Sequence, residues 1–165
     1  MTCKFCKIKP VWTFTNKDKI CKKCFIRYFE KKVLGTIRKY NMPIQEIKKQ
    51  NLKANIINNL TQRLPQRKGK LSEENLDNIS LKIIYEIIYG KKENLKKFIP
   101  SNQPLYFLSN KEVLLYSKLK KIKGKVKEEK GKSVKINHFI SSFEQKNPDI
   151  RQNIVQALLK FESSS

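Results

Sequence analysis

Apolar residues recur every fourth position from Phe25 through Phe29 and Val33 to Ile37, with Arg27, Lys31, Lys32, Arg38 and Lys39 distributed around them. That spacing predicts an amphipathic helix that grows out of Cys24 and stops before Pro43. A second helix is predicted from about Pro43 to Leu60, with Pro43 in its first turn and Ile44, Ile47, Ile56, Ile57 and Leu60 as its apolar residues. A third apolar face consists of Leu76, Ile79, Ile83, Ile84, Ile87 and Ile88, opened by Ser72 with Glu73 and Glu74 and closed by Gly90. Leu105 to Leu108 is short and apolar enough for a strand or a buried extended segment. Ser109 and Glu112 then have capping-box spacing ahead of Val113, Leu114, Tyr116 and Leu119. Two more helices are expected near Asn137 to Lys146 and Pro148 to Phe161, the latter burying Ile150, Ile154, Val155, Leu158 and Phe161. Near the start, Pro10 to Thr15 alternates enough for a short strand. The pattern therefore predicts a mainly α protein with a little β structure at its beginning, and it shows no internal repeat.

Breaks in the pattern suggest an organisation. Residues 62–70 contain Pro65, Gly69 and four basic residues, and read as a flexible linker and the best domain boundary. Residues 118–135 carry nine lysines and two glutamates with Gly124 and Gly131, a composition suited to a loop without its own core. The divisions are then 1–40, a metal ribbon and its helix; 41–71, a helix and basic linker; 72–162, a helical domain carrying the lysine-rich loop 118–135; and 163–165, a disordered serine tail.

Charge changes the picture most. The 165 residues hold 37 Lys+Arg against 14 Asp+Glu, a formal charge of +23. A surface this basic repels itself until a polyanion neutralises it, so nucleic acid is the expected partner. Lysines make up 32 of the 37 cations, which favours contact with phosphates over bidentate reading of bases. The candidate RNA-binding residues are Lys22, Lys23, Arg27, Lys31 and Arg38 beside the first helix, Arg63, Arg67 and Lys68 in the linker, and Lys120, Lys121, Lys123, Lys125, Lys127 and Lys132 in the lysine-rich segment. Trp12, Phe14 and Tyr28 are available for stacking on bases if exposed, although core packing is the commoner fate of such rings. No run of about 18 apolar residues occurs. No apolar signal core follows Met1, so a cytoplasmic protein without membrane contact is expected.

All four cysteines fall in two CxxC pairs, Cys3/Cys6 and Cys21/Cys24, with fourteen residues between the pairs. This is close to zinc-ribbon spacing, in which two knuckles close one tetrahedron of thiolates around a structural Zn²⁺. Lys4, Lys7, Lys9, Lys19, Lys22 and Lys23 would offset the negative charge of such a centre. Spacing alone leaves a redox CxxC or a four-cysteine iron–sulfur centre open. Trp12 and Phe14 are expected to cover the metal.

Two separated stretches resemble one known family. Cys21-Lys22-Lys23-Cys24-Phe25 running into Phe29-Glu30-Lys31-Lys32-Val33-Leu34, Thr36-Ile37 and Lys39-Tyr40 resembles the zinc ribbon and following helix of archaeal and eukaryotic cytosolic tRNA-uridine 2-thiolases, which are PP-loop ATPases. Glu74-Asn75-Leu76-Asp77-Asn78 is similar to that family's Gly-His-Asn-Leu-Asp-Asp. The likeness continues through Tyr89-Gly90, Gln103-Pro104-Leu105, Asn110 to Ser117, Phe143-Glu144 and Asn147 to Ile150, in the family's order. The resemblance implies an α/β ancestor of which this chain is a remnant. It also makes the differences informative. The five glycines are all isolated, so neither the family's Ser-Gly-Gly-x-Asp-Ser loop nor any other phosphate-cradling loop can be placed. Only about thirty residues separate Tyr40 from Glu74, where the family has most of its nucleotide-binding sheet. No cysteine is left outside the ribbon, and the single histidine, His138, has no partners for a triad.

The expectation is a non-catalytic, zinc-containing RNA-binding protein. It would be a ribosome-associated factor occupying an rRNA or tRNA site, with ribosome inactivation or dormancy as its effect. The alternative is a tRNA-binding accessory subunit of the 2-thiolation machinery. Structured RNA is the expected partner, rRNA before tRNA, with ribosomal or thiolation proteins as further candidates.

Overall fold

Phe25, Phe29, Val33 and Ile37 form one buried stripe of α1 (Lys22–Lys39), as their spacing requires. A computed structural model describes residues 2–48, 51–90, 92–126 and 132–163 of the chain. Two short antiparallel strands, β1 (Trp12–Thr13) and β2 (Lys19–Ile20), precede α1, with Trp12 opposite Ile20. After α1 come α2 (Leu52–Thr61), α3 (Leu76–Tyr89), a 3-10 helix (Lys92–Phe98), α4 (Asn110–Lys120), α5 (Lys132–Glu144) and α6 (Ile150–Ser163). The protein is mainly α with one small two-stranded element at its amino-terminal end.

The largest apolar cluster gathers Ile20, Phe25, Phe29 and Val33 with Ile56 and Ile57 of α2 and with Leu105, Leu108, Val113 and Tyr116 from the α4 region. Phe29 stacks on Tyr116 with ring centroids 4.0 Å apart. A second cluster joins Ile79 and Ile83 of α3 to Tyr106 and to Val155 and Leu158 of α6. A third joins Leu81 to Ile136 and Ile140 of α5.

Several expectations need correction. The second helix begins at Leu52 rather than near Pro43, because the Asn51 side chain caps it by accepting from the Ala54 N–H at 2.9 Å. Ile44 and Ile47 reach the core from extended chain instead. Asn58 clamps Ile47 through both its backbone N–H and its carbonyl. Residues 62–70 are not a free linker: Arg67 and Ile44 exchange both backbone hydrogen bonds, and Leu64 and Leu71 pack on the first cluster. The third helix is capped by Asn75 rather than Ser72. Ile87 and Ile88, expected on its buried face, are 60% and 52% exposed. Phe161 of α6 is likewise 48% exposed. The helix expected from Asn137 begins at Lys132, and Ser163 belongs to α6. Residues 164–165 lie outside the described residues.

The lysine-rich segment is partly docked. Lys121 ends α4 in the left-handed region with φ of 57°. Asn55 of α2 then donates to the Lys123 carbonyl at 2.8 Å, and the Leu52 N–H to that of Lys125 at 3.1 Å. Gly124 permits this approach, since a Cβ there would stand 2.6 Å from the Leu52 backbone. Residues 127–131 lie outside the described residues.

Charged side chains join the helices. The Ser109–Glu112 capping box is present, and the buried Glu112 carboxylate also accepts from the Tyr28 hydroxyl at 2.7 Å. Burial, reinforced by Glu112, holds that hydroxyl well above its ordinary pKa. Arg151, 4% exposed, donates to Glu144 at 2.9 Å and to Asn137 at 2.6 Å, and lies 3.5 Å from the Asp77 carboxylate. Replacing Arg151 with methionine keeps most of the volume but strands both carboxylates. A loss of about 3 kcal/mol is expected, read as a lower urea midpoint. An unchanged midpoint would show that the cluster contributes nothing net.

Gly35 stands in the middle of α1, where glycine costs about 1 kcal/mol relative to alanine. A Cβ built there meets nothing within 4 Å, so no packing within the chain accounts for it.

Candidate metal centre and basic surface

The four cysteines converge although the pairs are far apart in sequence. Lys7, in the left-handed region at φ of 57°, closes the first knuckle, with its N–H bonded to the Cys3 carbonyl at 3.1 Å. The Phe5 N–H points at Cys3 Sγ, 3.5 Å away. Pairing of β1 with β2 returns the chain, and the bond from the Lys4 N–H to the Lys19 carbonyl at 2.8 Å lays the first knuckle beside the second. Cys21 is the N-cap residue of α1 and Cys24 lies in its first turn, where the positive end of the helix dipole faces the sulfurs.

All four Sγ atoms lie within 4.8 Å of one another. Cys6 Sγ is 3.3 Å from Cys21 Sγ and 3.7 Å from Cys24 Sγ. A tetrahedral ion with metal–sulfur bonds of about 2.3 Å sets its sulfurs about 3.8 Å apart, so the set fits one four-coordinate metal. Cys3 and Cys21 are buried, Cys24 is half-buried and Cys6 is exposed.

The thiols differ in acidity. Burial raises Cys3, but backbone N–H groups of Phe5, Cys21 and Cys6 outweigh it and hold the thiol down at about 6. The Cys24 N–H, ahead of the Cys6 thiol, lowers Cys21. The Cys21 and Cys3 thiols raise Cys6. Burial and the neighbouring thiols push Cys24 up to about 12. Metal uptake must therefore displace protons. Affinity is expected to fall about tenfold per pH unit of acidification for each proton released. Competition against a chromophoric chelator at several pH values measures this; an affinity independent of pH would contradict it.

Trp12 and Phe14 are half-buried and pack on α1, Trp12 against Phe25 at 5.5 Å and Phe14 against Tyr28 at 5.0 Å. They belong to the core edge, and neither serves as an open stacking platform. On α1, Lys22, Lys23, Arg27, Lys31 and Arg38 are all exposed. At 3.6 residues per turn, Lys23, Arg27, Lys31 and Arg38 fall within about 80° of arc and form a single stripe, while Lys22 points elsewhere. Arg63, Arg67 and Lys68 are exposed, with Arg67 also donating to the Asn41 side chain at 2.6 Å. Lys120, Lys121, Lys123 and Lys125 are exposed, and Lys120 lies 3.3 Å from Glu30 of α1. Lys127 and the Lys132 side chain lie outside the described residues.

The Asn75-Leu76-Asp77-Asn78 segment is spent on internal bonds. Lys53 of α2 donates to Asn75 at 2.9 Å and to Asn78 at 2.7 Å. Asn75 donates to the Asn110 side chain at 2.9 Å, and the Asn110 N–H to Asp77 at 2.7 Å. These residues stitch α2, α3 and α4 together.

Sequence reasoning missed Lys39 as a surface cation of interest. Lys39, Lys31, Lys32, Tyr28, Gly35, Thr36 and the distant Phe107 border one open groove. Its only local signal was a glycine in mid-helix.

No helix among the described residues is long and apolar enough to cross a membrane. By sequence, no family model matches the chain and no curated protein is recognisably similar. In three dimensions the chain is similar to the U34-tRNA thiolase NcsA from Methanococcus maripaludis, solved with its 4Fe-4S cluster. The TM-score is 0.72 at 13% identity, covering 98% of this chain and 87% of that one. At that identity, the two chains share a fold.

Proposed function

We propose that this chain is a non-catalytic RNA-binding protein stabilised by a structural zinc ion. It grips a folded RNA through its phosphates and acts on the ribosome, where it occupies a tRNA-binding site and holds the ribosome idle. The observation that carries the RNA reading is the charge of +23, with four cations aligned on one exposed side of α1. The fold supports it, because the similar protein is named for action on tRNA and the likeness covers nearly all of this chain. The absence of chemistry is favoured by the isolated glycines and by the internal bonding of Asn75, Asp77 and Asn78. Zinc is favoured over an iron–sulfur cluster by the ion-sized spacing of the thiols, since a cubane seats each thiolate on a different iron and needs a wider set. Ribosomes and tRNA place its work in the cytoplasm.

Sedimentation through a sucrose cushion at moderate salt tests the ribosomal reading. The protein is expected in the ribosome pellet, and recovery with free tRNA would remove that reading. Elemental analysis of purified protein is expected to give one zinc per chain, whereas iron with visible absorption would replace zinc by a cluster. The likeness to a tRNA thiolase favours a second reading, an accessory subunit that presents tRNA to a catalytic thiolase. Co-purification of such an enzyme from RNase-treated extract would select it. ATP-dependent sulfur transfer by the chain itself would overturn both.

A further inference from the structure

Beside the basic stripe of α1 lies an open groove of about 400 Å³. Tyr28, Gly35 and Phe107 line it together with Lys31, Lys32 and Lys39, and the lining is mostly apolar. We propose that this groove takes one unstacked nucleotide of the bound RNA, its base against the Tyr28 and Phe107 rings and its flanking phosphates on Lys31 and Lys39. The proposal rests on the RNA-binding reading and adds where a base is held.

Three observations support it. The first is charge: Lys31, Lys32 and Lys39 border the groove, and the carboxylate behind them, Glu112, is buried and offsets only Lys32, which leaves Lys31 and Lys39 for an incoming anion. Such a border selects an anion. The second is shape. Apolar and aromatic surface between cations suits a flat base joined to phosphates, because a base stacks on an aromatic ring whatever its sequence. Lys31 and Lys39 are two helical turns apart on the same side of α1, so each can meet the phosphate on one side of the base. Lys32 donates to the Tyr28 hydroxyl at 2.8 Å and lies 3.7 Å from Glu112, which fixes both groups before any ligand arrives. The third is Gly35. It weakens the helix that carries it, and no atom of the chain lies where its Cβ would stand. Gly35 is exposed and borders the groove, so the space beside it is open to a group from outside the chain.

The test uses the full-length protein and a short fluorescent single-stranded RNA, read by anisotropy, with Gly35→Leu to fill the groove and Gly35→Ala as a smaller change. Gly35→Leu is expected to weaken binding about tenfold, the worth of one stacked base. The salt slope should stay the same because no charge is altered. Its melting temperature should equal or exceed that of the native protein. Crosslinks from 5-bromouridine in the RNA, mapped on the native protein, are expected on Tyr28 or Phe107. Native affinity in a folded Gly35→Leu protein, or crosslinks confined to other residues, would overturn the groove and leave RNA binding intact. Weakening of poly-glutamate binding by the same factor would show that the groove reads charge alone, and would also overturn it. A native protein that binds no RNA at physiological salt would instead remove the reading beneath it.

Discussion

A Cys21→Ser protein is expected to lose its metal and, with it, the folded amino-terminal region. Cys21 is both a ligand and the N-cap residue of α1, and its sulfur lies 3.3 Å from that of Cys6. Three thiols and a weakly binding hydroxyl hold a metal ion far less tightly, and metal binding at small four-ligand sites supplies about 10 kcal/mol or more of folding free energy. Among the described residues the other ties on the first knuckle are slight, since β1 and β2 are only two residues each and the Lys4–Asp18 pair is exposed. The damage should spread. Ile20, Cys21 and Phe25 belong to the same apolar cluster as Tyr116, so α1 and α4 lose support together. Circular dichroism and limited proteolysis, on the variant and on native protein treated with a strong chelator, provide the check. A metal-free Cys21→Ser chain with native melting behaviour would remove the structural role of the site.

Affinity for RNA is expected to collapse with salt. Lys23, Arg27, Lys31 and Arg38 on α1 and Lys120, Lys121, Lys123 and Lys125 beyond it are all exposed, and lysine and arginine heads on open surface contact phosphates mainly by displacing condensed counterions. If most of them engage, affinity falls about 10³–10⁵-fold between about 50 and 200 mM salt. Each cation reversed to glutamate should reduce the logarithmic slope by about 1 and weaken all RNA sequences alike. Anisotropy titrations over a salt series read both effects. A flat slope would mean that the charge is not the grip.

The parts legible in the sequence were those whose signals are local. The period of four from Phe25 to Ile37 and the reciprocal cap of Ser109 and Glu112 gave α1 and α4 with little competition. The two CxxC pairs pointed to one cluster of sulfurs by their spacing alone. The start of α2 was misread because Pro43 and the Ile44/Ile47 spacing imitate a helix. Asn51, a stronger cap, sits between them and the rest of the pattern. What held Ile44 in extended form was Arg67, a partner that no local window contains. Ile87 and Ile88 kept the helical period but lie exposed in the last turn of α3, so the period overstated burial. Arg151 was invisible for a related reason: its partners Asp77, Asn137 and Glu144 come from two other helices. The groove needed Phe107 beside α1, which only the folded chain provides.

The first apolar cluster draws on α1 and α2 and then on residues from Leu105 to Tyr116, with α3 inserted between them in the chain. A nascent chain that has reached only residue 71 therefore carries Phe29 and Val33 without Leu105, Leu108, Val113 and Tyr116, the part of their cluster made last. Until α4 leaves the exit tunnel, that sticky surface is a substrate for chaperones and proteases. Any mutation that slows the meeting of Phe29 with Tyr116 should lower cellular abundance before it lowers affinity for RNA.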